Sequence, residues 1–335
     1  MKKILAILFV PLALAAAGPA ASQQPIVIKF SHVVAEDTPK GRAALYFKAI
    51  VEKRTKGKVK IEVYPDSRLY KDDQEFAALQ KGDVQMLAPS LAKFGPLGLR
   101  EFEVFDLPYL FDDYADLHRV VLGPIGKDLL KKLEGKGMVG LTYWDNGFKQ
   151  MSANRPLKKP EDVKGLKMRV QASTVLQAEM RALGAAPQVM NFSEAYAALK
   201  SGAVDGTENP ASNFSTQHME DVQKYLTLTH HGYLGYAVIV NKKFWDSLSV
   251  DIRDSLTSAL RDATTFANDI ASQANNDAVD ALRASGKTEV IQLTPQEKLE
   301  WKKALIKVHR EMEDKIGKAL IQSIYKETDF EPDKL

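Results

Sequence analysis

Residues 26–64, IVIKFSHVVAEDTPKGRAALYFKAIVEKRTKGKVKIEVY, decide the fold class. Ile26 to Val33 is rich in apolar and β-branched side chains, as a buried strand is. Thr38-Pro39 then supplies a helix cap followed by proline at the first helical position, where its missing N–H costs nothing. The helix should run to about Thr55 and stop at Gly57. From Lys58 to Tyr64, Val59, Ile61 and Val63 alternate with Lys58, Lys60 and Glu62, the period of a half-buried strand. Strand, helix and strand at this spacing read as an α/β fold with mostly parallel pairing.

The pattern continues outward. Asp72-Asp73 are read as opening a short helix that ends near Gly82, and Val84 to Ala88 as a strand. A helix from about Asp113 to Gly135 precedes a strand at Met138 to Trp144. Leu166 to Gln171 reads as a strand, Thr174 to Leu183 and Glu194 to Lys200 as helices, and Val204-Asp-Gly-Thr as strand-like. Tyr225 to Thr229, Tyr236 to Asn241 and Thr288 to Leu293 complete the strands. Ser249 to about Ser285 contains neither Pro nor Gly, and Leu256, Leu260, Ala263, Phe266 and Ile270 recur at helical spacing. At about 1.5 Å per residue such a helix reaches on the order of 55 Å, longer than one small domain is wide. Periodicity leaves open whether it runs along two domains or merely caps a bundle. Thr294-Pro295-Gln296-Glu297 is a capping box that opens a final helix carrying Trp301, Leu305, Val308, Met312 and Ile316.

Composition narrows the function. A length of 335 residues suits two domains. Lys and Arg number 46 against 43 Asp and Glu, so neither a strong basic excess nor a basic tract marks a nucleic-acid partner. The absence of cysteine removes disulfide frameworks, thiol nucleophiles, thiolate zinc sites and iron–sulfur clusters together. At the N-terminus Lys2-Lys3 precede an apolar run from Ile4 to Ala17, and small residues follow. That is the layout of a secretory signal peptide, and the run is shorter than the roughly 20 residues that span a bilayer. We therefore expect residues 1–22 to be a cleaved signal peptide; a retained anchor is the alternative.

Catalytic spacings are scarce. No glycine fingerprint for dinucleotides, P-loop, HExxH or GxSxG occurs. His230-His231, if on a strand, would point to opposite faces and could not chelate one metal. Asp72-Asp73 and Asp112-Asp113 suit helix capping. What remains is cationic and amide. Arg169 lies on the face of its strand opposite Leu166, Met168 and Val170, alongside Lys167 and Gln171. It is either a solvated strand arginine or a fork that grips a carboxylate in two places. Lys40 falls in the first turn of a helix, where the dipole disfavours a cation unless an anion is held there. Trp144-Asp-Asn-Gly-Phe-Lys149 sets an aromatic beside an amide and a cation. Asn209 and Asn213 are either turn residues or further donors.

These same segments resemble the DctP-type solute-binding proteins of tripartite ATP-independent periplasmic (TRAP) transporters, four-carbon dicarboxylate subgroup. The likeness rests on FSHVVAEDTPKG at 30–41, VYPDSRLYKDD at 63–73, MLAPSLAKFGPLG at 86–98, YWDNGFKQMSANRP at 143–156, GLKMRVQAS at 165–173, FSEAYAALKSGAVDGTEN at 192–209 and HHGYLGYAVIVNKKFW at 230–245. It implies a two-lobed α/β periplasmic binding protein fold, with strands crossing between lobes and a long helix along both. Lobe I would be 24–146 plus 235–274, lobe II 147–234 plus 275–328, with the ligand cleft between them. By the same resemblance Arg169 is the carboxylate grip, joined by Asn209, Phe192 and Lys149. The dicarboxylate blocks add Val33, Lys40 and Ser90, with Trp144, Asn213 and His231 as weaker assignments. Pro210-Ala211 stands where the family often has a bulky residue, which leaves ligand size open. The implied function is non-covalent capture of a carboxylate, a four-carbon dicarboxylate such as succinate, fumarate or malate, for delivery to membrane subunits driven by an ion gradient. No nucleotide, metal or cofactor is expected, and the protein is expected to act in the periplasm as a monomer. Another organic acid (a 2-oxo, sugar or aromatic acid) is the first alternative. A periplasmic enzyme on organic acids, with His231 or His32 as base, is the second.

Overall fold

The computed structural model describes residues 24–334; the expected signal peptide lies outside the described residues. The chain builds β1 (Ile26–Ser31), β2 (Val59–Tyr64), β3 (Met86–Leu87), β4 (Met138–Phe148), β5 (Gln150–Ala153), β6 (Lys167–Val170), β7 (Ala186–Val189), β8 (Gly206–Asn209), β9 (Tyr225–Leu228), β10 (Tyr233–Asn241) and β11 (Glu289–Gln292). They form two sheets, β2-β1-β3-β10-β4 in lobe I and β11-β9-β5-β8-β6-β7 in lobe II. The chain crosses between the sheets three times, from β4 to β5, from β9 to β10 and, by way of the helical segment 242–285, from β10 to β11.

The opening stretch folds as its pattern demands. Ile28 and Phe30 of β1 are fully buried, and helix Pro39–Arg54 is capped by Thr38, whose side chain accepts from Gly41 N–H. Gly41 has a steric reason to be glycine. A Cβ there would stand 2.3 Å from the Glu36 carbonyl oxygen and 2.5 Å from that of Ala35, so only a bare backbone lets the preceding loop close over the first turn. Strands β1, β2 and β3 are parallel, but β10 runs antiparallel to both β3 and β4. In lobe II β5 is antiparallel to β8 and β9. The expectation of mostly parallel pairing is thus corrected to mixed sheets, because strands that cross between lobes enter each sheet against its prevailing direction.

The long helix spans Val250–Ser285, 36 residues. It packs on helix Pro39–Arg54 and β4 in lobe I, and on helix Ala211–Thr216 and β11 in lobe II. It runs along both lobes, which settles the choice its periodicity left open. Two other helical readings are corrected. The stretch expected as one helix from Asp113 to Gly135 is two helices, Tyr114–Leu122 and Pro124–Lys132. Pro124 lacks the N–H that would continue the first, and its ring clashes with the preceding turn. The final helix divides at Ile306 into Pro295–Leu305 and Lys307–Ile316, followed by Lys318–Thr328. Its periodic apolar residues Trp301, Leu305, Val308, Met312 and Ile316 are all buried.

Trp301 ties this region down. Its ring is fully buried and its indole N–H donates to Lys158 O at 3.1 Å. Trp301→Ala should cost about 3–5 kcal/mol, from lost burial plus a cavity. Urea denaturation of the two proteins checks this: a change below about 1 kcal/mol would show that the site collapses or that the ring carries little of the core.

Candidate functional site

The Arg169 side chain is 1% exposed, although strand arginines usually reach solvent. Its neighbours Met168 and Val170 fill the core on the other face of β6. Burial makes its charge costly and pulls its pKa below the ordinary value, against the opposing pull of Asp72 and Glu208. The Nε and Nη2 groups both donate to Met190 O, at 3.1 and 2.8 Å, and the Phe192 ring lies 5.5 Å from the guanidinium carbon. The backbone carbonyl thus fixes one edge of the fork. Thr207 pairs with Arg169 in the β6–β8 register, and Asn209, two residues on, shares its face. The Asn209 amide donates to Thr207 Oγ1 at 3.2 Å.

From lobe I, Ser90 meets this strand: Gln171 Nε2 donates to Ser90 Oγ at 2.7 Å. Ser90 also forms a backbone bridge to Tyr236 on β10. Over the Tyr236 ring, 3.8 Å from its centroid, sits the Lys40 ammonium, which donates to Ala88 O at 3.0 Å. Lys40 is 1% exposed, and burial followed by the charge of Lys93 lowers its pKa to about 7. Asn213 Oδ1, Ser212 Oγ, Gln171 Oε1, Tyr236 Oη and Ser31 Oγ are buried without a protein hydrogen-bond partner. Buried polar atoms are normally paired, and of these Gln171 and Tyr236 both adjoin Ser90, where a polar ligand would satisfy them. Val33 shares an apolar cluster with Phe192 and Phe214. A cavity of about 470 Å³ between the lobes borders Arg169, Gln171, Asp72 and Lys93.

Asp72 corrects an expectation. It does not cap its own helix, which spans Glu75–Lys81 with Gln74 at the cap. Its Oδ2 instead accepts from Phe192 N–H at 2.9 Å, heading helix Phe192–Ser201 of the opposite lobe, while Oδ1 pairs with Lys93 at 2.6 Å. Glu75 also pairs with Lys93, at 2.8 Å. Asp113, by contrast, does cap its helix. Burial works to raise the Asp72 carboxyl, but Lys93, Arg169 and the Phe192 N–H hold it down at about 2.

Three sequence candidates are placed elsewhere. Trp144 packs in the lobe I core, 5.9 Å from the Phe30 ring, with its N–H on Thr264 of the long helix at 3.1 Å. Lys149 is fully buried, 2.9 Å from Glu208 and 3.9 Å from Asp106, so protein carboxylates meet its charge. His231 sits in the same network: Nδ1 is 2.6 Å from Thr229 Oγ1, and Nε2 is 3.4 Å from Glu179 and 3.6 Å from Glu208. Burial raises the Asp106 carboxyl to about 7 and Glu179 well above the usual carboxylate range. Burial also works to raise Glu208, yet Lys149 and His231 keep it below its ordinary value. His230-His231 lie in the turn between β9 and β10, with His230 at φ 48°, rather than on a strand. No cluster with metal-ligand composition occurs among the described residues. His32, the other candidate base, is buried near Lys40 and lowered to about 3. Sequence reading missed Tyr236, Ser212 and the roles of Gln171 and Asp72. Only Gln171 had a signal, two residues from Arg169 on the same face.

The assembled geometry can be set against known proteins. A family model described as DctP, bacterial extracellular solute-binding protein, family 7, matches residues 30–315. The C4-dicarboxylate-binding periplasmic protein DctP of Rhodobacter capsulatus is 58% identical over 313 residues, 93% of this chain and 94% of that relative. A TRAP periplasmic solute-binding protein of Shewanella oneidensis, solved with bound succinate, has a TM-score of 0.88 at 42% identity, over 91% of this chain and 99% of that one. Its counterpart from Pseudomonas aeruginosa PAO1, solved with bound L-malate, has a TM-score of 0.84 at 42% identity, over 86% and 100%. With its two crossed sheets, its long shared helix and a match spanning most of its length, the chain belongs to the DctP family of bacterial extracellular solute-binding proteins.

Proposed function

We propose that this protein is the periplasmic solute-binding component of a TRAP transporter and that it captures a four-carbon dicarboxylate such as succinate, fumarate or malate. One observation carries the reading: Arg169 from lobe II and Lys40 from lobe I are both buried, each donates to a backbone carbonyl, and neither forms an ion pair with a carboxylate among the described residues. A small dianion has a charge at each end and little apolar surface, so its burial demands a cation or several hydrogen bonds at both ends. Arg169 with Asn209 would hold one carboxylate, stacked over Phe192. Lys40 and Ser90, with Asn213 and Tyr236, would hold the other. The succinate and L-malate carried by the relatives fit this charge pattern.

In this reading lobe I comprises 24–146 plus 235–274 and lobe II 147–234 plus 275–328, and the cleft between them closes on the ligand. Closing removes water and strengthens each charge contact. Binding is non-covalent and shifts an open–closed equilibrium toward the form the membrane subunits recognise. The chain acts as a monomer that carries the acid unchanged, and residues 1–22 direct its export. Lys149 and His231 support the site from behind, by holding Glu208 beside Asn209 on β8.

Arg169→Ala should weaken succinate binding by roughly 2–5 kcal/mol, about 30-fold to several thousand-fold in Kd. Arg169→Lys should also fail, since a point charge cannot reproduce the planar fork. Titration calorimetry decides: wild-type affinity in either variant would remove Arg169 from the site. Lys149→Met should instead lower unfolding stability by about 3–5 kcal/mol, because it strands buried carboxylates without their cation. Chemical denaturation checks this, and an unchanged midpoint would mean that the pairing with Glu208 is energetically idle.

A further inference from the structure

Lys40 and Lys93 share one buried neighbourhood, but its carboxylates are divided unequally. Both Asp72 and Glu75 lie on the Lys93 ammonium, at 2.6 and 2.8 Å. Lys40 has a backbone carbonyl, Ala88 O, and the face of the Tyr236 ring. These are neutral groups. An ammonium removed from water and given only a carbonyl and a ring is poorly compensated, the more so with a second ammonium nearby. The other titratable neighbours do not supply a charge. His32 is neutral, and burial keeps the Tyr236 phenol protonated, its pKa raised. Asp72 and Glu75 favour the Lys40 charge without forming an ion pair with it, and the Lys93 charge opposes them. A carboxylate brought against Nζ changes this balance more than any protein group present, because it supplies a full opposite charge in a water-poor setting.

We propose that Lys40 is the residue by which the site reads its ligand's charge: a dianionic acid takes up a proton at Lys40 as it binds, whereas an acid with a single carboxylate, held by Arg169, does not. The proposal rests on the assignment of Arg169 and Lys40 to opposite ends of the ligand. The proton moves from a buffer acid to the neutral amine, forming one N–H bond on Nζ as the buffer loses one. By linkage, uptake of one proton per ligand makes Kd rise about tenfold per pH unit over the range where the free amine is neutral.

Titration calorimetry of the full exported chain with succinate at pH 8, in Tris and in phosphate, reads the protons directly. Both carboxyl groups of free succinate are ionised at that pH, so any uptake belongs to the protein. We expect uptake close to one proton per succinate, with Kd rising from pH 7.5 to 9. Lys40→Met should abolish the buffer dependence, and His32→Gln should leave it in place. Absence of buffer dependence in the wild type overturns the proposal even if Lys40→Met does not fold. So does uptake that persists in Lys40→Met or disappears in His32→Gln. Failure of succinate to bind at any pH would instead overturn the dicarboxylate assignment on which the proposal stands.

Discussion

A guanidinium taken out of water must be held in place and given something to do, and the burial of Arg169 organises the centre of this molecule. Met168, Arg169 and Val170 are all buried, so the strand is covered on both faces at this point. The Met190 carbonyl takes two of its N–H groups, Phe192 supplies an apolar floor, and Asp72 tempers the charge from the other lobe. Met190 and Phe192 flank the turn that opens helix Phe192–Ser201. The same short segment therefore sets the arginine's direction and receives the contact from lobe I.

Charge in the interior is sorted into two separate accounts. Around Lys93 and Lys40, both acids are committed to Lys93, and Lys40 has no carboxylate of its own. Around Lys149, three carboxylates, one ammonium and one imidazole are packed beyond the reach of water. The second group is compensated internally: Lys149 lies on Glu208, and burial pushes the Glu179 and Asp106 carboxyls above the usual carboxylate range. The first does not close on protein groups alone. That difference separates a structural network from one suited to a ligand, although both are built from the same residue types at similar depth.

Much of the fold was legible in the sequence because its signals are local. Thr38-Pro39, the alternation at 58–64 and the Pro- and Gly-free run before Gly286 each fix an element by short-range chemistry. Strand β7 was hidden by Pro187, which is tolerated there because β7 is an edge. Strand β5, Gln-Met-Ser-Ala, has no strand-forming composition and owes its place to burial between β8 and β9. Of the site, Arg169 and Lys40 stood out as cations in costly positions. Tyr236 did not, since one more aromatic in an apolar strand looks like core. The ion partners of Lys149 and His231 were not legible, because Glu208, Asp106 and Glu179 are brought to them only by the fold. Pairing of that kind is a property of topology and not of spacing.

The cross-cleft contact of Asp72 has a consequence for how motion in this protein could be observed. The main-chain N–H of Phe192 is satisfied by a carboxylate that belongs to the opposite half of the molecule. Under the cleft closure proposed above, opening would make that amide trade its partner for solvent, while those deeper in the same helix would keep theirs. Its deuterium exchange rate would then report the proposed opening without a label or a bound molecule.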